Sequence, residues 1–275
     1  MPTGPEPNHK AMLHTLTLLA LAFLPAFPAQ QSGAVSEAEF KAMHELKQGA
    51  APVLTGTTVE VGGAKCYLSL PKTPRAGSPS VVVIHEWYGL NDHIKHWADR
   101  LASDGYAALA VDLYGGVVAK DSEAAMAAMK AVDGANAVGV MQAAEKFLRE
   151  DARVKSKKVA SLGWCFGGGQ SLQLALNSPT LDACVLYYGH LETDPAKLAP
   201  LKAPVLAIFG SKDRSIGPTA VATWVDGMLK AEKEHRVMIF PSVHAFANPS
   251  NAKYDEQSAS VAWENVRMFL AEKLK

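Results

Sequence analysis

Short apolar runs alternate along the chain with segments of helical periodicity. Residues 81–84 form a continuous apolar run, which is typical of a strand buried on both faces. Residues 92–104 instead repeat apolar positions at helical spacing and are followed by Gly105, a common residue just past a helix. The alternation predicts an α/β fold with one mostly parallel central sheet and helices on both faces. Strands are predicted at residues 57–61, 64–70, 81–84, 106–111, 158–162, 183–188, 205–209 and 236–240.

The remaining periodic segments predict helices on either side of this sheet. The first two strands are separated by Gly62-Gly63, a two-residue turn that favours a hairpin. Ligands of such sheets bind at the carboxyl ends of the strands, so candidate chemistry is expected just after each strand. Helices are predicted at residues 37–48, 92–104, 123–130, 138–149, 167–176, 219–231 and 255–274.

The N-terminus has a different composition from the rest of the chain. His9 and Lys10 precede an apolar run at residues 16–27, and small residues follow. This pattern is typical of a secretory signal, and the run is shorter than the about 20 residues of a membrane-spanning helix. We predict a signal peptide at 1–29, a helical extension at 30–56 and one α/β domain at 57–275. The protein is then exported, periplasmic or secreted, without a stable membrane span; a buried helix or a lipid anchor is the alternative.

Overall charge and common motifs exclude several function classes. The 275 residues carry 27 Lys plus Arg and 27 Asp plus Glu, so no polyanion-binding surface is indicated and no nucleic-acid partner is expected. No glycine-rich nucleotide motif is present, and we expect no cofactor. His93 and His96 could share a metal ion, but no third ligand stands out and a solvated helix face is the favoured interpretation. We therefore predict no metal site.

Three cysteines are present, and one of them lies in a turn with catalytic character. Cys66 and Cys184 occupy apolar strand-like stretches and are interpreted as buried inert thiols, with a mutual disulfide as the alternative. Cys165 lies in Gly163-Trp164-Cys165-Phe166-Gly167, between a predicted strand and a predicted helix. This is the context of the G-x-S-x-G nucleophile turn, with sulfur replacing oxygen. A structural cysteine in a glycine-rich turn is the alternative.

A cysteine nucleophile needs a base, and the base needs an orienting acid. In hydrolases of this fold the chain order is nucleophile, acid, histidine. Asp213 follows the strand predicted at 205–209, and His244 follows the strand predicted at 236–240, so both are expected at the same edge as Cys165. The competing residues lie out of this order or away from the strand ends: Asp182, Asp255, His190 and His235.

The loop after residues 81–84 carries further candidates. The backbone N–H groups of Trp87 and Phe166 are the candidate oxyanion donors. Glu86 opposes thiolate formation by like-charge repulsion and could instead hold the thiol proton; the alternative is a structural carboxylate bonded to loop amides. Tyr88 and Tyr114 are candidates for the lining of an apolar substrate pocket.

Together these segments resemble the dienelactone hydrolase family over residues 57–274. The resemblance implies a monomeric α/β-hydrolase that opens small esters or lactones through a thioester intermediate, without a cofactor. It also implies that Glu86 accepts the proton of a resting Cys165 thiol when substrate binds, and that Asp213 orients His244. The motifs that carry the likeness are His85-Glu86-Trp87-Tyr88-Gly89-Leu90-Asn91-Asp92-His93-Ile94, Asp112-Leu113-Tyr114, Gly163-Trp164-Cys165-Phe166-Gly167-Gly168, Tyr187-Tyr188-Gly189, Gly210-Ser211-Lys212-Asp213 and His244-Ala245-Phe246-Ala247.

The chain departs from this family pattern at the arginines that bind the substrate carboxylate. One of them follows the histidine by four positions, where this chain has Asn248. The other belongs to the stretch after residues 112–114, and no arginine occurs between Tyr114 and Gln142. The resemblance therefore predicts a small ester or lactone substrate but does not support dienelactone itself. The alternatives are a non-hydrolytic or redox-sensing protein of the same fold, and an exported esterase or peptidase of another substrate class.

Overall fold

An eight-stranded sheet forms the centre of the computed structural model, which describes residues 53–275. The strand order is β1-β2-β4-β3-β5-β6-β7-β8. The β1–β2 and β2–β4 pairs are antiparallel, and the other pairs are parallel. The mostly parallel sheet predicted from the apolar runs is confirmed. The strands are β1 (Thr57–Val61), β2 (Ala64–Ser69), β3 (Ser80–Ile84), β4 (Ala107–Val111), β5 (Val159–Trp164), β6 (Ala183–Tyr187), β7 (Val205–Gly210) and β8 (His235–Phe240).

Helices cover both faces of the sheet, so the strands β3 to β7 are buried along their whole length. Trp97 and Val266 lie in the core on one face, and Met141, Leu172 and Trp224 lie in the core on the other. This double cover explains why these strands are unbroken apolar runs. The helices are α1 (Asp92–Ser103), α2 (Ser122–Lys130), α3 (Gly134–Glu150), α4 (Phe166–Asn177), α5 (Pro195–Leu198), α6 (Pro218–Lys230) and α7 (Glu256–Leu274).

Two helices differ from the sequence-based prediction. Helix α3 begins at Gly134, four residues before the predicted start, because Asp133 accepts a hydrogen bond from the Asn136 N–H and caps the helix there. The four-residue helix α5 was not predicted. It begins at Pro195 behind the cap Asp194, and it is too short to show an apolar period.

The helix that carries His93 and His96 buries both side chains, so the predicted solvated face is wrong. His93 is 8% exposed and His96 is 1% exposed, and the His93 ring packs edge-on against Trp97. The ring Nε2 of His93 also lies 3.8 Å from Glu86 Oε2. Helix α1 turns this face toward the sheet and the loop after β3. Within residues 53–275 no cluster of three or more His, Cys, Asp or Glu side chains could hold a metal ion.

Cys66 and Cys184 are buried free thiols, and the alternative of a mutual disulfide is excluded by their positions. Cys66 lies on β2 and Cys184 lies on β6, and three strands separate β2 from β6 in the sheet. Strands lie about 4.8 Å apart, which places these thiols roughly 19 Å apart across the sheet. A disulfide requires Cα atoms closer than about 7 Å.

The predictions for the N-terminus fall on residues that the structure does not describe. The signal peptide at 1–29 lies outside the described residues, as does the extension at 30–56 apart from its last four residues. None of the helices described between residues 53 and 275 is long and apolar enough to cross a membrane.

Candidate active site

The turn between β5 and α4 holds Cys165 in a rarely adopted backbone conformation. Its φ is 53° and its ψ is −117°. A Cβ atom at Gly163 would lie 2.1 Å from the Gly167 carbonyl oxygen, and one at Gly167 would lie 2.3 Å from that of Ile84. Both positions therefore require glycine, because the strand and the helix approach too closely for any side chain. Cys165 is the residue that this tight turn presents at the end of the sheet.

The structure brings Cys165, His244 and Asp213 into one hydrogen-bonded row. His244 Nε2 lies 3.2 Å from Cys165 Sγ, and His244 Nδ1 lies 2.7 Å from Asp213 Oδ2. Since the carboxylate can only accept, Nδ1 carries the proton and Nε2 is free to accept the thiol proton. The three residues come from the ends of β5, β7 and β8, as the chain order indicated.

Asp213 is held in place by its own loop. Its buried Oδ1 accepts hydrogen bonds from the N–H groups of Ser215 at 2.7 Å and Ile216 at 3.1 Å. This leaves Oδ2 directed at His244. Asp182 and Asp255, the competing acids, are engaged elsewhere: Asp182 pairs with Lys158 and Arg149, and Asp255 caps helix α7.

Glu86 lies in the same site, buried on the loop after β3. Asn248 Nδ2 donates to Glu86 Oε2, and the Tyr188 hydroxyl donates to Oε1 at 3.5 Å. Burial raises the pKa of the Glu86 carboxyl to about 7, although the hydrogen bonds from Asn248 and Tyr188 oppose that rise. Asn248, which occupies the position of an expected arginine, therefore contacts Glu86 through a neutral amide.

The thiol is strongly biased toward its protonated form. Burial raises the pKa of Cys165 to about 12, and the negative charges of Glu86 and Asp213 contribute to the rise. The backbone N–H of Phe166, at the start of α4, opposes it by hydrogen bonding. A resting Cys165 thiol, as expected from the resemblance, fits this environment.

His85 fixes the loop that carries Glu86. Its Nδ1 lies 2.7 Å from the Glu86 carbonyl oxygen, and its Nε2 accepts from the Leu113 N–H at 3.2 Å. Burial lowers the pKa of this imidazole to about 4, so it stays neutral with its proton on Nδ1. Its ring also packs against Tyr114 and Phe166. The sequence indicated no role for this histidine.

The two candidate oxyanion donors come from different elements. Phe166 is the first residue of α4, and its N–H interacts with the sulfur of Cys165. Trp87 follows Glu86 on the loop after β3 and is partly exposed. The Trp87 indole Nε1 is buried without a hydrogen-bond partner among the described residues.

A cavity of about 740 Å³ opens at the thiol, and its lining differs from the predicted one. Tyr88 is 38% exposed and Tyr114 is packed beneath Phe166, and neither is among the lining residues. Tyr188 lies there instead, within a segment that carried the family likeness. His190, which precedes the acid in chain order, also lines the cavity. The lining residues are Met129, Gly134, Val138, Cys165, Phe166, Gly169, Gln170, Gln173, Tyr188, His190, Ser215, Ile216 and His244.

The eight-stranded sheet, with a tight strand–turn–helix at its carboxyl edge, is that of an α/β-hydrolase. Residues 64–274 match the dienelactone hydrolase family, and the chain belongs to this family. It is thus a hydrolase of the dienelactone hydrolase type.

Two relatives and one solved structure show the extent of the similarity. A protein of Saccharolobus solfataricus named "Putative carboxymethylenebutenolidase" is 31% identical over 248 residues, covering 76% of this chain and 94% of the relative. A Bradyrhizobium protein named "Probable 2-oxo-3-(5-oxofuran-2-ylidene)propanoate lactonase" is 30% identical, covering 70% of this chain and 83% of the relative. The dienelactone hydrolase-like promiscuous phosphotriesterase P91 from metagenomic libraries superposes with a TM-score of 0.73 at 27% identity, covering 80% of this chain and 99% of P91.

Proposed function

We propose that the protein hydrolyses small esters or lactones by nucleophilic attack of Cys165, with His244 as base and Asp213 as its orienting acid. The observation that carries the proposal is the hydrogen-bonded row of the three side chains, with 3.2 Å between sulfur and imidazole and 2.7 Å between imidazole and carboxylate. Such a row activates a nucleophile without a cofactor.

In the acylation step, His244 Nε2 accepts the thiol proton while Cys165 Sγ bonds to the substrate carbonyl carbon. The N–H groups of Phe166 and Trp87 stabilise the negative charge on the carbonyl oxygen. The bond to the leaving oxygen then breaks, and His244 returns its proton to that oxygen. The products are an alcohol and a thioester on Cys165; in a lactone both stay in one molecule.

In the deacylation step, His244 accepts a proton from water, and the resulting hydroxide attacks the thioester carbonyl. The carbon–sulfur bond breaks, His244 returns its proton to the sulfur, and the acid leaves with the thiol restored. The neutral Nε2 that this step requires is maintained by the hydrogen bond from Nδ1 to Asp213.

Glu86 adds a means of keeping the thiol inactive between turnovers. Its negative charge raises the pKa of Cys165, so the thiolate that oxidants attack is suppressed. Its hydrogen bonds go to Asn248 and Tyr188, whereas the hydrogen-bond partner of the sulfur is His244. We infer that His244, which already contacts the sulfur, accepts the thiol proton during attack, and that Glu86 holds the thiol protonated until substrate binding alters its contacts with Asn248 and Tyr188. The same protonated thiol argues against a redox sensor, which needs a thiol of low pKa.

The cavity lining favours an uncharged acyl group. Among residues 53–275, no lysine or arginine lines the cavity at Cys165, and Met129, Val138 and Ile216 supply apolar surface. The Bradyrhizobium relative is named as a lactonase, which supports a lactone as the substrate. The propanoate group in that name is, however, an anion. Because P91 is described as a promiscuous phosphotriesterase, phosphotriesters are also candidate substrates to test.

A substrate panel tests this proposal. Purified protein is assayed with 4-nitrophenyl butyrate, γ-butyrolactone, a neutral peptide and a dialkyl 4-nitrophenyl phosphate, beside the variant His244→Gln. We expect hydrolysis of the ester or the lactone and a loss of about a thousandfold in kcat/KM in the variant. A folded protein that hydrolyses neither the ester nor the lactone would contradict the proposal. So would a His244→Gln variant with the same kcat/KM as the wild type.

A further inference from the structure

A second hollow lies beside the hydrogen-bonded row of Cys165, His244 and Asp213. It has a volume of about 420 Å³ and shares Ser215 and His244 with the cavity at Cys165. Cys165 itself does not line it, so the hollow extends past His244 rather than over the sulfur. Its lining residues are Lys212, Arg214, Ser215, Val243, His244 and Lys253, and we refer to it as the basic hollow.

Three cations surround this hollow without a carboxylate to neutralise them. Lys212, Arg214 and Lys253 are exposed, and no ion pair joins any of them to an acid within the described part of the chain. By contrast, Lys158 and Arg149 share Asp182 elsewhere on the surface. Like charges gathered around one concave surface repel one another, and their summed field attracts an anion.

The nearest acid does not cancel this field. Asp213 lies between Lys212 and Arg214 in the chain, but its carboxylate is buried and bonded to His244 and to the N–H groups of Ser215 and Ile216. It is not among the residues that line the hollow. Among the described residues, charge is therefore distributed unevenly around Cys165, His244 and Asp213, with cations lining the hollow and none lining the cavity at Cys165.

We propose that the basic hollow is a substrate subsite that binds an anionic group, such as a carboxylate, on the leaving-group side of the scissile bond. The inference rests on the proposed function and names its substrate class. The leaving oxygen receives its proton from His244, and the hollow is lined by His244 but not by the nucleophile. The uncharged acyl part then occupies the cavity at Cys165.

This subsite gives the chain an anion-binding position of its own. Asn248, at an expected arginine position, is engaged with Glu86 and carries no charge. Lys212 and Arg214 instead flank the acid after β7, and Lys253 follows the base in the segment after β8. The substrate class is an ester whose alcohol portion carries an acid.

A matched pair of acetate esters tests the subsite. 4-Acetoxybenzoate carries a carboxylate on its leaving group, and its methyl ester is neutral at the same position. The measured quantity is the ratio of kcat/KM for the anionic ester to kcat/KM for the neutral ester, in the full-length protein and in variants. Comparing variants removes the difference in intrinsic reactivity between the two esters. Monophenyl succinate, with its charge on the acyl side, serves as a third substrate.

We expect Lys253→Ala and Arg214→Ala each to lower this ratio about threefold, and the double variant to lower it about tenfold, as partly exposed charge pairs allow. Lys253→Glu should lower it further, and 0.5 M salt should reduce the wild-type ratio. The matched control is Lys202→Ala, which removes an exposed lysine outside the hollow and should leave the ratio unchanged.

The possible failures are distinguishable. If wild-type protein hydrolyses both acetates but the ratio does not change in Lys253→Ala and Arg214→Ala, or falls equally in Lys202→Ala, the subsite is overturned while the proposed function stands. If Lys253→Ala and Arg214→Ala lowered kcat/KM only for monophenyl succinate, the subsite would also be overturned, because the hollow would then bind a charge on the acyl side. If wild-type protein hydrolyses a lactone but no ester, the subsite is overturned while the proposed function stands. If it hydrolyses neither an ester nor a lactone, the proposed function itself fails.

Discussion

Cys165 follows β5 and Cys184 lies on the neighbouring strand β6, yet only Cys165 lies beside a histidine. Burial raises the pKa of both thiols, to about 12 for Cys165 and about 11 for Cys184. Cys184 is fully buried on β6, where its sulfur lies 3.4 Å from Ser171 Oγ. Cys165 contacts His244 and lines a cavity. The comparison shows that the proton affinity of a thiol does not identify a nucleophile; an adjacent base and access for substrate do.

The difference arises from backbone geometry. Cys184 is an ordinary strand residue whose side chain points into the core. Cys165 sits at φ 53° in a turn that exists only because Gly163 and Gly167 have no side chains. Two other non-glycine residues with positive φ, Tyr188 and Ala245, also follow strands at this edge of the sheet. Strained conformations of this kind gather at functional sites.

The largest expected effect is the difference in kcat/KM between replacing Cys165 and replacing Cys184. Cys165→Ala should lose at least about a thousandfold in kcat/KM for 4-nitrophenyl butyrate, because no nucleophile remains. Cys184→Ala should stay within about twofold of wild type and lose about 1 kcal/mol of stability from the small cavity it leaves. Steady-state kinetics and urea unfolding measure the two effects. Comparable activity losses in both folded variants would refute the contrast.

The next prediction concerns the base that distinguishes Cys165. Asp213→Asn should lower kcat by roughly a hundred- to ten-thousandfold, because an amide at this position favours the wrong imidazole tautomer. Asp255→Asn is the matched control, since Asp255 caps α7 and lies outside the row. It should cost about 1 kcal/mol of stability or less and leave kcat within about twofold of wild type. A small effect of Asp213→Asn would show that His244 is not oriented through this contact.

Glycine substitutions test the tightness of the turn that presents Cys165. Gly163→Ala should destabilise the protein by about 3 kcal/mol or more, because the added Cβ meets the Gly167 carbonyl oxygen at 2.1 Å. Gly139→Ala, in the middle of α3 with no atom within 4 Å of the added Cβ, should instead stabilise the protein by about 0.5–1 kcal/mol. Thermal unfolding of both variants measures the difference. Equal unfolding temperatures would mean that the turn can relax.

The smallest expected effects come from removing the charge that restrains Cys165. The folded pKa of Glu86, about 7, lies above its ordinary value of 4.5, so its contribution to stability is present at low pH and is lost as pH rises through 7. Glu86→Gln should therefore gain about 1–3 kcal/mol over wild type at pH 8, with the gain shrinking toward pH 5. Iodoacetamide should also alkylate Cys165 several-fold faster in this variant at pH 8, because the pKa of the thiol falls.

Unfolding by urea at pH 5 and pH 8 and the rate of iodoacetamide modification provide these measurements. Glu60→Gln, an exposed carboxylate on β1, is the control and should change neither quantity. A stability gain in Glu86→Gln that does not depend on pH would mean that Glu86 remains charged across this range.

The sheet and the row of three side chains were predictable because each depends on local sequence. An apolar run identifies a buried strand, and parallel strands bring their carboxyl ends to one edge, so Cys165, Asp213 and His244 could be placed together from their positions after strands. The glycine pattern around Cys165 predicted the tight strand–turn–helix because close backbone approach leaves a local signature.

The features that could not be predicted depend on contacts between distant segments. The bond from Asn248 to Glu86 joins residues 162 positions apart, and no periodicity records it. The burial of His93 and His96 follows from how α1 rotates on the sheet, whereas a polar residue on a helix ordinarily indicates solvent. The cavity lining includes Met129 from α2, which tertiary packing brings to the same cavity as Cys165.

The central claim is that substrate is carried as a thioester on Cys165, and acid-quenched peptide mass spectrometry tests it most directly. Protein is mixed with excess 4-nitrophenyl butyrate, quenched during turnover and digested, and the mass of each cysteine peptide is measured. We expect a butyryl group on the peptide that contains Cys165, absent from Cys165→Ala and absent from the Cys66 and Cys184 peptides. A butyryl group on Cys184 instead, or undiminished turnover by Cys165→Ala, would contradict the account.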